Sequence, residues 1–179
     1  RPWPNTFTLA QVVLSYFRKM VSIEGHSGIY TLRTEQLLNT DLETAWEFFS
    51  SPNNLVKITP ESMAFEITSG EALPMYPGQI ISYKVSPFPG VRASWVTEIT
   101  HVKDREFFVD EQRFGPYSMW HHEHIFKATD KGLMMWDKVS YKLPFGILGQ
   151  MVHPILVKNK LTEIFTHRYT ILEDIFPPA

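Results

Sequence analysis

The chain of 179 residues contains no cysteine. This absence excludes a disulfide framework, a thiolate zinc or iron–sulfur centre, and a cysteine nucleophile. No uninterrupted apolar run approaches the ~20 residues that a membrane-spanning helix needs. The longest helical-looking stretch, from Ile147 onward, is broken by Gln150, His153, Lys158, Asn159 and Lys160. Excess positive charge is also lacking: 17 Lys+Arg stand against 19 Asp+Glu, a formal net charge of -2. Nucleic-acid binding needs a basic face to displace counterions, so no nucleic-acid partner is expected. There is no G-x-S-x-G, no glycine-rich phosphate loop and no G-x-G-x-x-G. Hydrolase, NTPase and dinucleotide readings therefore lack support, and no cofactor is expected. Arg1-Pro2-Trp3-Pro4 leads into no signal-peptide pattern, which together with the missing cysteine points to the cytoplasm.

What the chain has in quantity is aromatic side chains: 13 Phe, 7 Tyr and 5 Trp, or 14% of the residues. Leu9, Val12, Val13, Tyr16, Phe17, Met20 and Ile23 fall at amphipathic-helix spacing. A loop, Glu24 to Gly28, follows, so residues 1–28 read as an extension outside the main fold. Its helix could dock on the domain or on a partner, a second copy of the chain included. Ile29 to Leu38 reads as a strand. Thr40-Asp41-Leu42-Glu43 reads as a capping box opening a helix with Leu42, Ala45, Trp46 and Phe49 on one stripe. Ser51-Pro52 opens a second short helix, with proline at its first position. Six period-two segments follow: 63–69, 80–87, 91–102, 106–114, 118–129 and 132–143. Their links are short, which requires antiparallel hairpins. Residues 147–176 read as a long terminal helix, which Pro154 should kink or offset. A sheet with one apolar face needs cover. The order therefore predicts an α+β fold, a curved antiparallel sheet wrapped around the terminal helix, with a pocket between them.

The chemistry concentrates in residues 107–126. Trp120, His122, His124 and Phe126 share one face of a predicted strand; His121, Glu123, Ile125 and Lys127 share the other. A two-residue turn at Asp130-Lys131 sets Phe126 opposite Met135, His124 opposite Asp137, His122 opposite Val139 and Trp120 opposite Tyr141. Glu123 then faces Lys138 and His121 faces Ser140 on the solvated side, so both strands assign their faces alike. Closing the preceding hairpin at Gly115–Ser118 sets Arg113 beside Trp120, Glu111 beside His122 and Val109 beside His124. The inner face then carries Glu111, Arg113, Trp120, His122, His124, Phe126, Asp137 and Tyr141 as candidate ligand-binding residues. Arg168, on the apolar stripe of the last helix, can reach the same space or snorkel to the helix edge.

Apolar walls with a few convergent polar groups suit a small-molecule site. The polar residues could equally form a closed network without a ligand role. His122-x-His124 with Glu111 or Asp137 leaves a zinc or iron site open, although i, i+2 spacing on a strand is weak evidence and no metal is assigned. His122, His124 and Asp137 are candidates for acid–base catalysis, with Asp137 orienting an imidazole.

Eight segments together carry a family resemblance: Trp46 to Leu55, Ile58-Thr-Pro60, Phe108 to Gln112, Gly115-Pro-Tyr117, Trp120-His-His-Glu-His124, Asp137-x-Val-x-Tyr141, Leu143-Pro-Phe-Gly146 and Ile164-Phe-x-x-Arg168. In this order they resemble the SRPBCC ligand-binding proteins, the START and birch-pollen-allergen-like superfamily. The nearest pattern is a bacterial subfamily labelled polyketide-cyclase-like or cell-division-inhibitor-like. The resemblance spans residues 29–176. It implies a helix-grip fold with a deep hydrophobic cavity between the sheet and the C-terminal helix. It also implies a lipid-like or polyketide-like ligand, or a cyclase- or dehydratase-type reaction in the same cavity. It names no ligand.

Overall fold

The computed structural model describes residues 21–71, 74–88 and 90–177. Its frame is one antiparallel sheet of eight strands: β1 (Val21–His26), β2 (Ile29–Leu38), β3 (Glu66–Ser69), β4 (Gln79–Phe88), β5 (Val91–Lys103), β6 (Phe107–Phe114), β7 (Met119–Thr129) and β8 (Gly132–Lys142). Their spatial order is β1-β2-β8-β7-β6-β5-β4-β3, so β2 returns to pair with the last strand. Between β2 and β3 lie α1 (Leu42–Phe49), α2 (Pro52–Lys57) and a 3-10 turn, Glu61–Met63. After β8 come α3 (Gly146–Val152), a π-helical turn (His153–Val157) and the long α4 (Lys158–Ile175). This is the expected α+β helix-grip arrangement.

Local chemistry explains the elements. Asp41, in an extended conformation, caps α1 by accepting the Thr44 N–H at 2.8 Å. The cap is thus one residue beyond the expected Thr40. Pro52 begins α2, where its missing N–H costs nothing. The sequence reading also shifts at the start: residues 21–26, expected as the end of a helix and a loop, form β1. Val21 pairs with Thr34 and Ile23 with Leu32, extending the sheet. Most of the expected helix from Leu9 lies outside the described residues.

The β7–β8 hairpin has the expected two-residue turn, with Thr129 opposite Gly132. Gly132 has φ +126°, and a Cβ there would meet the Leu38 carbonyl oxygen at 2.3 Å. Gly132→Ala should therefore cost about 1–3 kcal/mol through backbone strain and displacement of β2. A denaturant melt against the parent chain checks this.

The core lies on the concave face of the sheet. Leu38, Ala45, Trp46, Phe108, Phe126, Leu133 and Leu172 pack toward one end, where Trp46 meets Phe126 edge-on at 5.7 Å. Leu32, Trp120, Val139, Tyr141, Leu161 and Phe165 pack toward the other. The terminal helix buries Leu161, Phe165, Arg168 and Leu172, at helical spacing. The first part of the terminal helical segment does not bury its apolar residues: Ile147, Leu148, Met151, Ile155 and Leu156 are exposed. The π turn, which contains Pro154, widens one turn and rotates the face of α3 relative to α4.

Candidate functional site

Three central strands and the last helix bring five polar side chains to the concave face. Asp110 comes from β6, His122 and His124 from β7, Asp137 from β8 and Arg168 from α4. The β7–β8 register is the expected one throughout: His124 faces Asp137, His122 faces Val139, Trp120 faces Tyr141 and Phe126 faces Met135. The β6–β7 register differs by one residue. Asp110, not Glu111, lies opposite His122, and Phe108 lies opposite His124.

A bulge explains the difference. Against β5, Phe114 pairs with Val96 and Gln112 with Thr97, so Arg113 is an extra residue in β6. The Gln112 side chain grips the following loop, donating to the Tyr117 carbonyl at 2.7 Å and accepting the Tyr117 N–H at 3.2 Å. A one-residue slip exchanges the two faces of a strand. The expected inward placement of Glu111 and Arg113 is therefore corrected. Glu111 contacts His121 at 2.7 Å on the outer face, and Arg113 pairs there with Glu98 at 2.6 Å.

The inner cluster is almost closed to solvent. Each imidazole spans two carboxylates. Nε2 of His122 lies 2.8 Å from Oδ1 of Asp137, and its Nδ1 lies 3.5 Å from Oδ2 of Asp110. Nε2 of His124 lies 2.9 Å from the same Asp110 oxygen. Its Nδ1 is 3.0 Å from Oδ1 of Asp137, off the hydrogen-bonding line. The rings stand 3.7 Å apart, and His124 stacks on Phe108. Thr34 donates to the other Asp137 oxygen at 3.3 Å.

Burial opposes charge on all four groups, and the partners decide the outcome. For His124, burial is outweighed by the bond to Asp110 and the adjacent Asp137 carboxylate, which raise its pKa above the ordinary imidazole value. For His122, burial and then the His124 charge prevail and lower it. The Asp137 carboxyl is held well below its usual range, because the bonds to His122 and His124 and the Arg168 charge overcome burial. Asp110 is lowered in the same way, chiefly by its His124 bond. The two imidazoles are thus driven apart, His124 toward the charged form and His122 toward the neutral one.

Arg168 is less well served. Its Nη1 is 3.6 Å from Asp137, its guanidinium sits 4.8 Å from the Phe165 ring centre, and its buried Nε has no hydrogen-bond partner.

Two chambers open on this cluster. One, about 150 Å³, has walls that include Phe49, Leu55, Ile81, Ile99 and Phe108, and reaches Asp110, His122, His124 and Arg168. The other, about 300 Å³, lies between the sheet and α4, among Tyr117, Leu143, Leu161, Ile164 and Phe165. Trp95, Trp120, His122 and Arg168 border both. Asp137 sits behind the imidazoles and borders neither. Phe126 and Tyr141, expected as ligand contacts, are buried in the core and also border neither. Tyr141 instead meets His153 at 2.6 Å. Asp110 and Trp95 were not among the predicted site residues. Asp110 stood within the Phe108–Gln112 motif, but the bulge places it on the face opposite to the expected one.

No family model matches the chain, and no curated protein matches it. Solved structures do. A Thermus thermophilus protein superposes with a TM-score of 0.62 at 15% identity, over 80% of this chain and 94% of that one. Another, from Mycobacterium smegmatis, gives 0.61 at 16% identity, over 87% and 99%. Major latex-like protein 151 of Panax ginseng gives 0.62 at 12% identity, over 85% and 100%. At these identities the likeness is one of fold. The chain shares the helix-grip architecture of these structures. No helix among the described residues is long and apolar enough to cross a membrane.

Proposed function

We propose that the chain binds an amphipathic small molecule between the sheet and α4, with the apolar body in the chambers and an acceptor group at Arg168. The observation that carries this reading is the guanidinium itself. It borders both chambers, is buried, and leaves Nε unpaired. A buried guanidinium with an unsatisfied donor costs about 1–3 kcal/mol or more, and a ligand anion in the chambers beside it would offset part of that. The walls supply the rest of the affinity at roughly 25 cal/mol per Å² of apolar surface covered. A carboxylate or conjugated carbonyl on a lipid-like or polyketide-like skeleton fits both demands. The helix-grip fold is compatible with this reading but names no ligand.

The test is native mass spectrometry of the full chain after exposure to fatty acids, sterols and aromatic polyketides. A one-to-one complex with an acidic or carbonyl-bearing member is expected. Failure of every member to bind would contradict the reading.

A second reading has its own observation. His122 borders both chambers, while Asp137 fixes its Nε2 from behind. A neutral imidazole held in that way can take a proton from a bound ligand, as a cyclase or dehydratase requires. Bound ligand converted by the parent chain and returned unchanged by His122→Gln would support it.

A further inference from the structure

We propose that Asp110, His122 and His124 form a binding site for a divalent transition metal facing the smaller chamber. One donor atom from each of the three lies within 4.8 Å of the others. The two spacings to Asp110 fit coordination, and the imidazoles would have to close on the metal by a small adjustment. Donors about 2.1 Å from a metal stand about 3.4 Å apart in a tetrahedron and about 3.0 Å apart in an octahedron. Here the Asp110 oxygen lies 3.5 Å from Nδ1 of His122 and 2.9 Å from Nε2 of His124. A metal at this point replaces the proton shared by His124 and Asp110.

The surroundings are those of a metal centre. A ligating histidine usually directs its other nitrogen at a carboxylate, which fixes the ring and raises its basicity. His122 does this with Oδ1 of Asp137, and Nδ1 of His124 lies near the same oxygen without a hydrogen bond to it. Oδ1 of Asp137 lies 2.8 Å from Nε2 of His122 and 3.0 Å from Nδ1 of His124. Asp137 is in turn held by Thr34. The three ligands occupy one side of the metal, and the chamber they border leaves the other side for water or a ligand atom. Two imidazoles and one carboxylate with open positions suit Zn²⁺ or Fe²⁺ and not the hard cations, which prefer all-oxygen sites. With neutral imidazoles, the metal, Arg168 and the two aspartates sum to one positive charge. That charge matches an anionic group in the open position, beside Arg168.

The experiment titrates Zn²⁺ into the untagged, chelator-stripped full chain by calorimetry. One equivalent should bind with a dissociation constant in the micromolar range or below. His124→Gln and Asp110→Asn should each weaken binding at least about 100-fold, and Asp137→Asn about 10–100-fold. His101→Gln, altering an exposed residue, should leave it unchanged. Circular dichroism confirms that each variant is folded. If the cluster variants fail to fold, Co²⁺ added to the parent chain decides instead. Ligand-field bands of a nitrogen-containing, low-coordinate site support the proposal, and the spectrum of the hexaaqua ion overturns it. Absence of one-to-one binding, or affinity retained in folded Asp110→Asn and His124→Gln, also overturns it. Either failure leaves ligand capture at Arg168 standing, since that is read by complexes formed without metal.

Discussion

Replacing Asp137 with alanine should destabilise the fold by about 3–5 kcal/mol, the range for removing one partner from a buried ion pair. Asp137 is 4% exposed and stands at the convergence of Thr34, His122, His124 and Arg168. Its removal takes from the buried Arg168 its paired carboxylate and from His122 its acceptor, leaving Asp110 alone against the cluster's positive charge. For a domain of this size each kcal/mol shifts the melting temperature by about 2–4 °C, so a fall of about 6–20 °C is expected. A double variant, Asp137→Leu with Arg168→Met, should recover part of the loss, because the stranded charge is gone. Thermal melts of the three proteins give the comparison. A single variant within about 2 °C of the parent would mean that the cluster is open to water and not a buried network.

The second large effect concerns Arg168 and affinity. Arg168→Met keeps most of the side-chain volume and removes every donor. For an amphipathic acid the expected loss is about 2–5 kcal/mol, at least about thirty-fold in dissociation constant. For an uncharged hydrocarbon of the same length the change should be small, since only the walls contribute. Arg168→Lys should fall between, retaining charge but not the fork of planar donors. Equal losses for the acid and the hydrocarbon would assign Arg168 to wall packing instead. Arg113→Gln is the control. Its guanidinium pairs with Glu98 and Glu111 on the outer face, so affinity should stay within about twofold.

These variants also show which parts of the site could be read before the fold was known. The His122–Asp137 neighbourhood was legible because Asp130-Lys131 leaves no slack. A two-residue turn fixes every later pair on β7 and β8, and alternation does the rest. Arg168 was legible as a charged residue on an otherwise apolar helical stripe. Asp110 was not. The extra residue at Arg113 inverts the faces of the rest of β6, and nothing in Gln112-Arg113-Phe114 marks a bulge. The loop is held by a Gln112 side chain, an interaction that composition does not announce. The exposed residues of α3 were unreadable for a related reason. A π turn changes the phase of a helix without changing the apolar count on either side of it. In both cases a single inserted residue defeated a periodicity that was otherwise sound.

The aromatic abundance divides in the same way. Trp95 and Trp120 meet edge-on at 5.2 Å and border both chambers, whereas Phe126 and Tyr141 fill the core. The two tryptophans are therefore reporters of whatever enters. Titration of the full chain with anilinonaphthalene sulfonate, an apolar ring system with one anionic group, tests the central claim most directly. Saturation at one equivalent with quenching of tryptophan emission is expected in the parent chain, and loss of saturable binding in Ile164→Trp, which narrows the larger chamber, and in Arg168→Met. Non-saturable binding, or binding indifferent to both substitutions in folded protein, would contradict it.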